Sequence, residues 1–269
     1  MAALFDAFGR CISSTIEPAY VCRDQDESTA FLSMKCLDYS GRCLRFQRYL
    51  TPGLQLPTEH DFLSDIKEIT LWLQSQPSLR SLLNGLCLPL AVPRLELREY
   101  GCYFESIFLG AVHNACHDRI SRSGDRLSEG YQNFCPPLGL CISIHEQGRH
   151  ERLVELMAKD ALTALFFPWA FHGVVPGVCR KVVSELPQNM LVAGGIDTAL
   201  AFVGYADILL APFWTPKLHP SGIRLGDGEH LISFEVQSAN LTVDASSYAS
   251  CGGGERQSTG LLVLSPNHG

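Results

Sequence analysis

The sequence predicts a mainly β fold with helical insertions. Three observations lead there. Apolar residues gather in short runs of strand length, such as 86–92, 138–144 and 231–236. Glycine (23) and proline (15) recur between those runs as turn signals. Helical periodicity is confined to two stretches, 59–84 and 150–167.

In chain order, residues 31–37 and 43–46 read as strands on either side of Tyr39-Ser40-Gly41. In 59–84, Phe62, Ile66, Ile69 and Leu73 recur at three- and four-residue steps, the mark of one apolar helix face, with Thr58 as its cap. Pro77 suits the first turn of a second short helix, and Gly85 its stop. Residues 86–92 and 102–112 return to strand-like runs, and the polar stretch 117–130 reads as a linker. Beyond it, 138–144 reads as a strand and 150–167 as a helix with Leu153, Leu156, Met157 and Leu162 on one side. Segments 174–183, 208–210 and 231–236 read as strands, and 250–259 as a glycine-rich tail. The expected organisation is a β-rich half over 1–120, with its helix near 59–84, and a second β half over 131–269.

Composition excludes several function classes. Hydrophobic residues are 46% of the 269, enough for a core, and charged residues are 18%, too few for a disordered chain. A formal charge of −7 with no lysine-arginine run argues against electrostatic binding of nucleic acid. The longest apolar stretch, 161–171, is interrupted by Thr163 and Pro168, whereas a membrane span needs about 20 residues. The start, MAALFDAFGR, lacks a basic leader, so no signal peptide is expected. The 11 cysteines are odd in number and contain no Cys-x-x-Cys pair, which suits reduced thiols in the cytoplasm or nucleus.

Several segments carry candidate chemistry. Gly194-Gly195 lets the chain fold tightly ahead of Ile196-Asp197, and an aspartate held in such a turn can orient a water and take its proton, or simply cap a turn or helix. In 251–260, glycines followed by Arg256, Ser258 and Thr259 can wrap amides and hydroxyls around phosphate oxygens, although no Walker lysine follows. Asp227, in Gly226-Asp227-Gly228, reads as a turn residue. Cys102, His113, Cys116 and His117 offer zinc-ligand types, and His113 and His117 would share a face if helical, but the stretch reads as strand then loop and no metal site is assigned. Cys179 with His172 is a Cys-His pair without a supporting motif.

Pro176-Gly177, Ser184, Gly194 to Asp197, Gly226-Asp227 and 252–260, taken in that order, resemble the ordered motifs of the dUTPase superfamily, particularly the double-length herpesvirus type. Residues 138–143 are similar to the family's early strand, so the resemblance covers roughly 136–260. It implies dUTPase-like antiparallel β-barrel or jelly-roll halves, the 131–269 half ending in the glycine-rich tail. It also implies water activation by Asp197, and substrate contacts from Ser184, Tyr205, Arg256, Ser258, Thr259 and Gly260. The departures from the pattern are specific. Cys141 stands at the place of an early aspartate, Glu185 follows Ser184 where the family has Arg-Ser-Gly, and Leu200 falls where the family has its tyrosine, leaving Tyr205 as the stand-in. Losing a metal carboxylate and a phosphate arginine removes the charge neutralisation that triphosphate hydrolysis needs. The resemblance therefore implies a dUTPase-related viral protein with catalysis lost, acting through protein–protein interaction. The alternatives are an active dUTP nucleotidohydrolase yielding dUMP and pyrophosphate with Mg2+, or an unrelated viral structural or tegument protein. Implied partners are a viral or host protein and a deoxynucleotide, with no nucleic acid and no membrane span. The implied location is the host cytoplasm, the nucleus or the virion.

Overall fold

Asp38 opens the first helix, α1 (Tyr39–Tyr49), by accepting the Gly41 N–H at 3.1 Å. This computed structural model describes residues 3–12, 38–50, 53–123, 131–133, 141–210, 215–226, 230–237, 240–247 and 257–268. The expected strand over 43–46 is the middle of α1. Cys43 and Phe46, three residues apart, are its buried positions, a helical step rather than a strand's alternation. The expected strand over 31–37 lies outside the described residues. In α2 (Glu59–Ser75), Thr58 accepts the Asp61 N–H, and Phe62, Ile66, Ile69 and Leu73 form the buried stripe. A 3-10 turn, Arg80–Asn84, follows and ends at Gly85.

After β1 (Leu88–Val92) the chain is helical again. Helix α3 (Tyr100–Tyr103) passes through a π turn (Phe104–Leu109) into α4 (Gly110–Ser123). The strand expected over 102–112 is therefore corrected. Tyr100, Phe104, Phe108, Val112 and Cys116 recur every four residues and are all buried, so this apolar run has the helical period. Two short strands follow, β2 (Tyr131–Asn133) and β3 (Ile142–Ile144), then α5 (His150–Lys159) and β4 (Leu162–Phe167). The helix expected over 150–167 is thus a helix and then a strand. The strand expected over 174–183 is for the most part α6 (Pro176–Glu185). Pro176 occupies its first turn, where the missing N–H costs nothing. Strand β5 (Met190–Val192) leads into α7 (Gly195–Leu209), which includes the strand expected at 208–210. The remaining strands are β6 (Lys217–Leu218), β7 (Ile223–Leu225), β8 (His230–Gln237), β9 (Asn240–Ser247), β10 (Gln257–Ser258) and β11 (Leu261–Leu264).

These strands form two open sheets. The first is antiparallel with order β1-β4-β11-β5. Strand β1 from the first half of the chain and β11 from its end both pair with β4, so the two halves share one sheet. The second has order β10-β6-β8-β7-β3, with β9 on β8 and β2 on β9. Helix α7 is buried along its length except Asp207, and packs on α4, α1 and β1. An apolar surface all round suits a helix enclosed by protein. Among the described residues no helix is long and apolar enough to cross a membrane.

The mainly β expectation does not stand. Among the described residues helix exceeds strand, 46% against 25%. Neither sheet closes or curls into the antiparallel β-barrel or jelly roll that the dUTPase resemblance implied, over 131–269 or elsewhere among the described residues. Residues 1–120, expected to be β-rich, contain α1, α2, α3 and α4 and, as a named strand among the described residues, β1 alone. The dUTPase reading is withdrawn in both its catalytic and its degenerate form, and with it the viral assignment.

Candidate functional site

The Gly194-Gly195-Ile196-Asp197 segment is a helix start, the capping alternative rather than a water-orienting turn. Gly194 is the N-cap of α7, and both oxygens of Asp197 accept its N–H, at 2.8 and 3.0 Å. Thr198 Oγ1 donates to the Gly194 carbonyl at 2.7 Å. Asp197 is fully buried. Burial pushes its carboxyl up to about 8 against the pull of three backbone hydrogen bonds, so it is mostly protonated at neutral pH. His150, the first residue of α5, is also fully buried and is pushed down to about 4 by desolvation. Its Nε2 lies 3.9 Å from Asp197 Oδ1. Between those two pKa values both groups are neutral, so the contact is not an ion pair. Tyr100 Oη lies 3.1 Å from His150 Nε2 and accepts the Ile196 N–H at 3.2 Å. His150 Nδ1 has no hydrogen-bond partner among the described residues. Gly194 is required beside it, because a Cβ there would collide with the imidazole. A carboxylic acid used as a cap and shut off from solvent has no route to a substrate water.

The other residues expected at a site are dispersed. Ser184 is exposed near the end of α6, where its Oγ donates to the Lys181 carbonyl at 2.6 Å. Tyr205 is buried at a kink in α7, donates to the Pro89 carbonyl at 2.7 Å, and has the Arg42 guanidinium 4.9 Å above its ring. Ser258 Oγ donates to the Pro168 carbonyl at 2.6 Å, and Thr259 Oγ1 pairs with Ser221 Oγ at 2.9 Å, all in the interior. Arg256 and Asp227 lie outside the described residues. The structure does bring Gly260 beside the Gly194 turn, since Ala193 N–H donates to the Gly260 carbonyl at 2.9 Å. That meeting follows from β11 pairing with β5 inside the core, not from a nucleotide pocket. The Cys179 thiol, hydrogen-bonded to the Val174 and Val175 carbonyls, is pushed up to about 12 by burial and is no nucleophile at neutral pH. His113 and His117 do share a face of α4, with ring centroids 6.3 Å apart, while Cys116 is buried and Cys102 donates to Glu99. No three metal-donor residues cluster among the described residues.

No protein-family model, curated protein or solved structure matches this chain. Its chemistry therefore rests on its own surfaces.

A surface cavity of about 720 Å³ lies where the N-terminal segment meets the 3-10 turn. Asp6 builds that segment. Its Oδ1 accepts the Phe8 and Arg10 N–H groups at 2.9 and 2.8 Å, and its Oδ2 receives the Arg10 Nε at 2.8 Å. Leu4 N–H donates to Ser78 and Cys11 N–H to Ala170, which pins the loop at both ends. The turn needs Gly9, whose φ is +76° and whose position would place a Cβ 2.8 Å from the Leu82 carbonyl oxygen. The cavity is lined by Phe5, Ile12 and Leu83 on its apolar side and by Gln74, Arg80 and Asn84 on its polar side. Phe8 and Ile12, close together in the segment, are 37% and 47% exposed. Asp6 is engaged by Arg10, whereas Arg80 is exposed and forms no ion pair among the described residues. The region carries no catalytic motif, and its two strings of residues lie about 70 positions apart in the sequence. The one local signal was Asp6 four residues before Arg10 with Gly9 between them.

Proposed function

We propose that this chain is a polypeptide-recognition domain that takes an extended partner segment into the groove between residues 3–12 and 80–84. The observation that carries the reading is a cavity lined by exposed Ile12 together with a cation, Arg80, that pairs with no carboxylate among the described residues. Such a groove suits a segment with an apolar side chain next to an aspartate or glutamate, the carboxylate meeting Arg80. Its volume falls in the range of sites that bury a few side chains.

The test is selection from a displayed random-peptide library against the full chain. Enriched peptides are expected to pair an apolar residue with an acidic one. The Arg80→Glu variant is expected to bind them at least about tenfold more weakly with its melting temperature unchanged. Peptides that bind Arg80→Glu and Ile12→Asp as well as the parent would end this assignment. A separate expectation concerns the groove's scaffold. Gly9→Ala forces a side chain into the positive-φ region against backbone atoms, and is expected to cost about 1–2 kcal/mol in urea unfolding and to abolish peptide binding.

A further inference from the structure

Arg180 is the one strongly cationic side chain carried into the interior by α6. It is 8% exposed. Its Nη1 donates to the Ser221 carbonyl at 3.2 Å, its Nε has no partner, and no carboxylate pairs with it among the described residues. A guanidinium cannot shed its proton to escape burial, so a buried one without a counter-charge is costly. Its neighbours deepen the imbalance. Arg224 on β7 is exposed, and uses its Nε on Ser143 Oγ at 2.8 Å across the β3–β7 pair. His145 directly follows β3; its N–H donates to the Gly222 carbonyl and its Nδ1 accepts the Gln147 N–H at 3.3 Å. That acceptor role places the neutral ring's proton on Nε2, leaving it free to donate. Burial, Arg180 and Arg224 together hold the imidazole below its ordinary value, and the exposed Glu146 opposes them weakly.

We infer that Arg180, Arg224 and His145 form a binding site for a phosphate-type oxyanion. A tetrahedral ligand suits the arrangement better than a planar one. The donors come from three separate elements, α6, β7 and the turn after β3, whereas a carboxylate is typically held by one coplanar fork. The Nε of Arg180 and the terminal guanidinium nitrogens of Arg224, without hydrogen-bond partners among the described residues, are the donors such a ligand would engage. The local charge stands against the −7 of the chain as a whole, so the attraction is confined to this spot.

The test is titration of the full chain with inorganic phosphate at fixed ionic strength, read by NMR from the His145 ring. Saturable shifts are expected, together with a rise in the His145 pKa as the bound anion offsets the two guanidiniums. Glycerol phosphate in a parallel arm reads whether a phosphomonoester enters as the free ion does, and acetate serves as the planar control. Arg224→Gln alters an exposed residue, and is expected to weaken phosphate binding about tenfold or more without changing the fold. Arg180→Met removes the uncompensated charge. It is expected to melt no lower than the parent in phosphate-free buffer and to lose the phosphate-induced rise in melting temperature. Shifts that never saturate and track ionic strength, or saturable binding retained in both variants, would overturn the site. So would acetate binding as tightly as phosphate.

Discussion

Stability measured by urea unfolding is expected to peak near pH 6.5 and to fall on both sides. Asp197 controls the alkaline side. Its folded-state pKa, about 8, lies above its ordinary 3.8, so between those values the folded protein holds a proton that the unfolded chain releases. That stabilisation is whole below about 4 and is lost as pH climbs through 8. His150 and His219 act in the opposite sense. Desolvation pushes both down to about 4 from 6.5, so their contribution is whole above 6.5 and is lost as pH falls through 4. Between 4 and 6.5 the two histidines outweigh the one carboxyl by one proton, and stability rises by about 3 kcal/mol. From 6.5 to 8 Asp197 acts alone among the groups with large shifts, and stability falls by about 2 kcal/mol. A second decline is expected above pH 9, where Cys87, Cys116 and Cys179, each pushed up to about 12 by burial, must stay protonated in the folded protein. Asp197→Asn reproduces the neutral carboxyl in size and keeps an oxygen for the Gly194 N–H. It is expected to flatten the profile from 6.5 to 8. A wild-type profile that rises over that interval would show Asp197 ionised and the helix start held by charge.

The segments that could be read from the sequence are those where one face meets the core and the other meets water. Helix α2 is one such case, with its Thr58 cap and four-residue stripe, whereas β8 is legible as the run 231–236, buried on both faces from Leu231 to Phe234. One misreading lies where a helix is enclosed on all sides. Helix α7 buries polar Asp197 and Thr198 together with its apolar residues, so no periodicity separates it from a run of short strands. The Gly194-Gly195 pair then reads equally as a tight turn and as an N-cap pressed against a histidine ring. The chemical type of the segment was legible in one respect. An aspartate after two glycines does hold nearby amides, and the choice between cap and catalyst turned on burial, which the sequence does not display. Arg180 was invisible for the same reason. Within Cys-Arg-Lys it resembles any surface arginine, and only the packing of α6 against Ser221 removes it from water.

Replacing Arg149 is expected to be among the most destabilising single substitutions outside the apolar core. Its Nη1 donates to the carbonyls of Leu186, Pro187 and Met190 at 2.9, 2.8 and 3.4 Å, and its Nη2 to that of Ser184 at 2.8 Å. Ser184 and Leu186 lie at the C-terminal end of α6, where free carbonyls and the negative end of the helix dipole both favour a cation. Arg149→Met removes the fork and leaves several carbonyls unpaired, with an expected loss of about 3 kcal/mol in urea unfolding. Arg149→Lys restores the charge but not the fork, and is expected to recover less than half of that. The backbone separates the causes further. Arg149 sits at φ 57°, the left-handed region, so Arg149→Gly loses the same bonds while relieving roughly 1 kcal/mol of strain. Glycine is therefore expected to be the milder substitution. If glycine and methionine prove equally harmful, backbone strain at this position is negligible. If both are harmless, the carbonyls at the end of α6 are satisfied by water and the fork is ornamental. Because α6 also carries Arg180, loosening its C-terminal end is expected to weaken phosphate binding in parallel with stability. Arg224→Gln, by contrast, is expected to weaken binding alone.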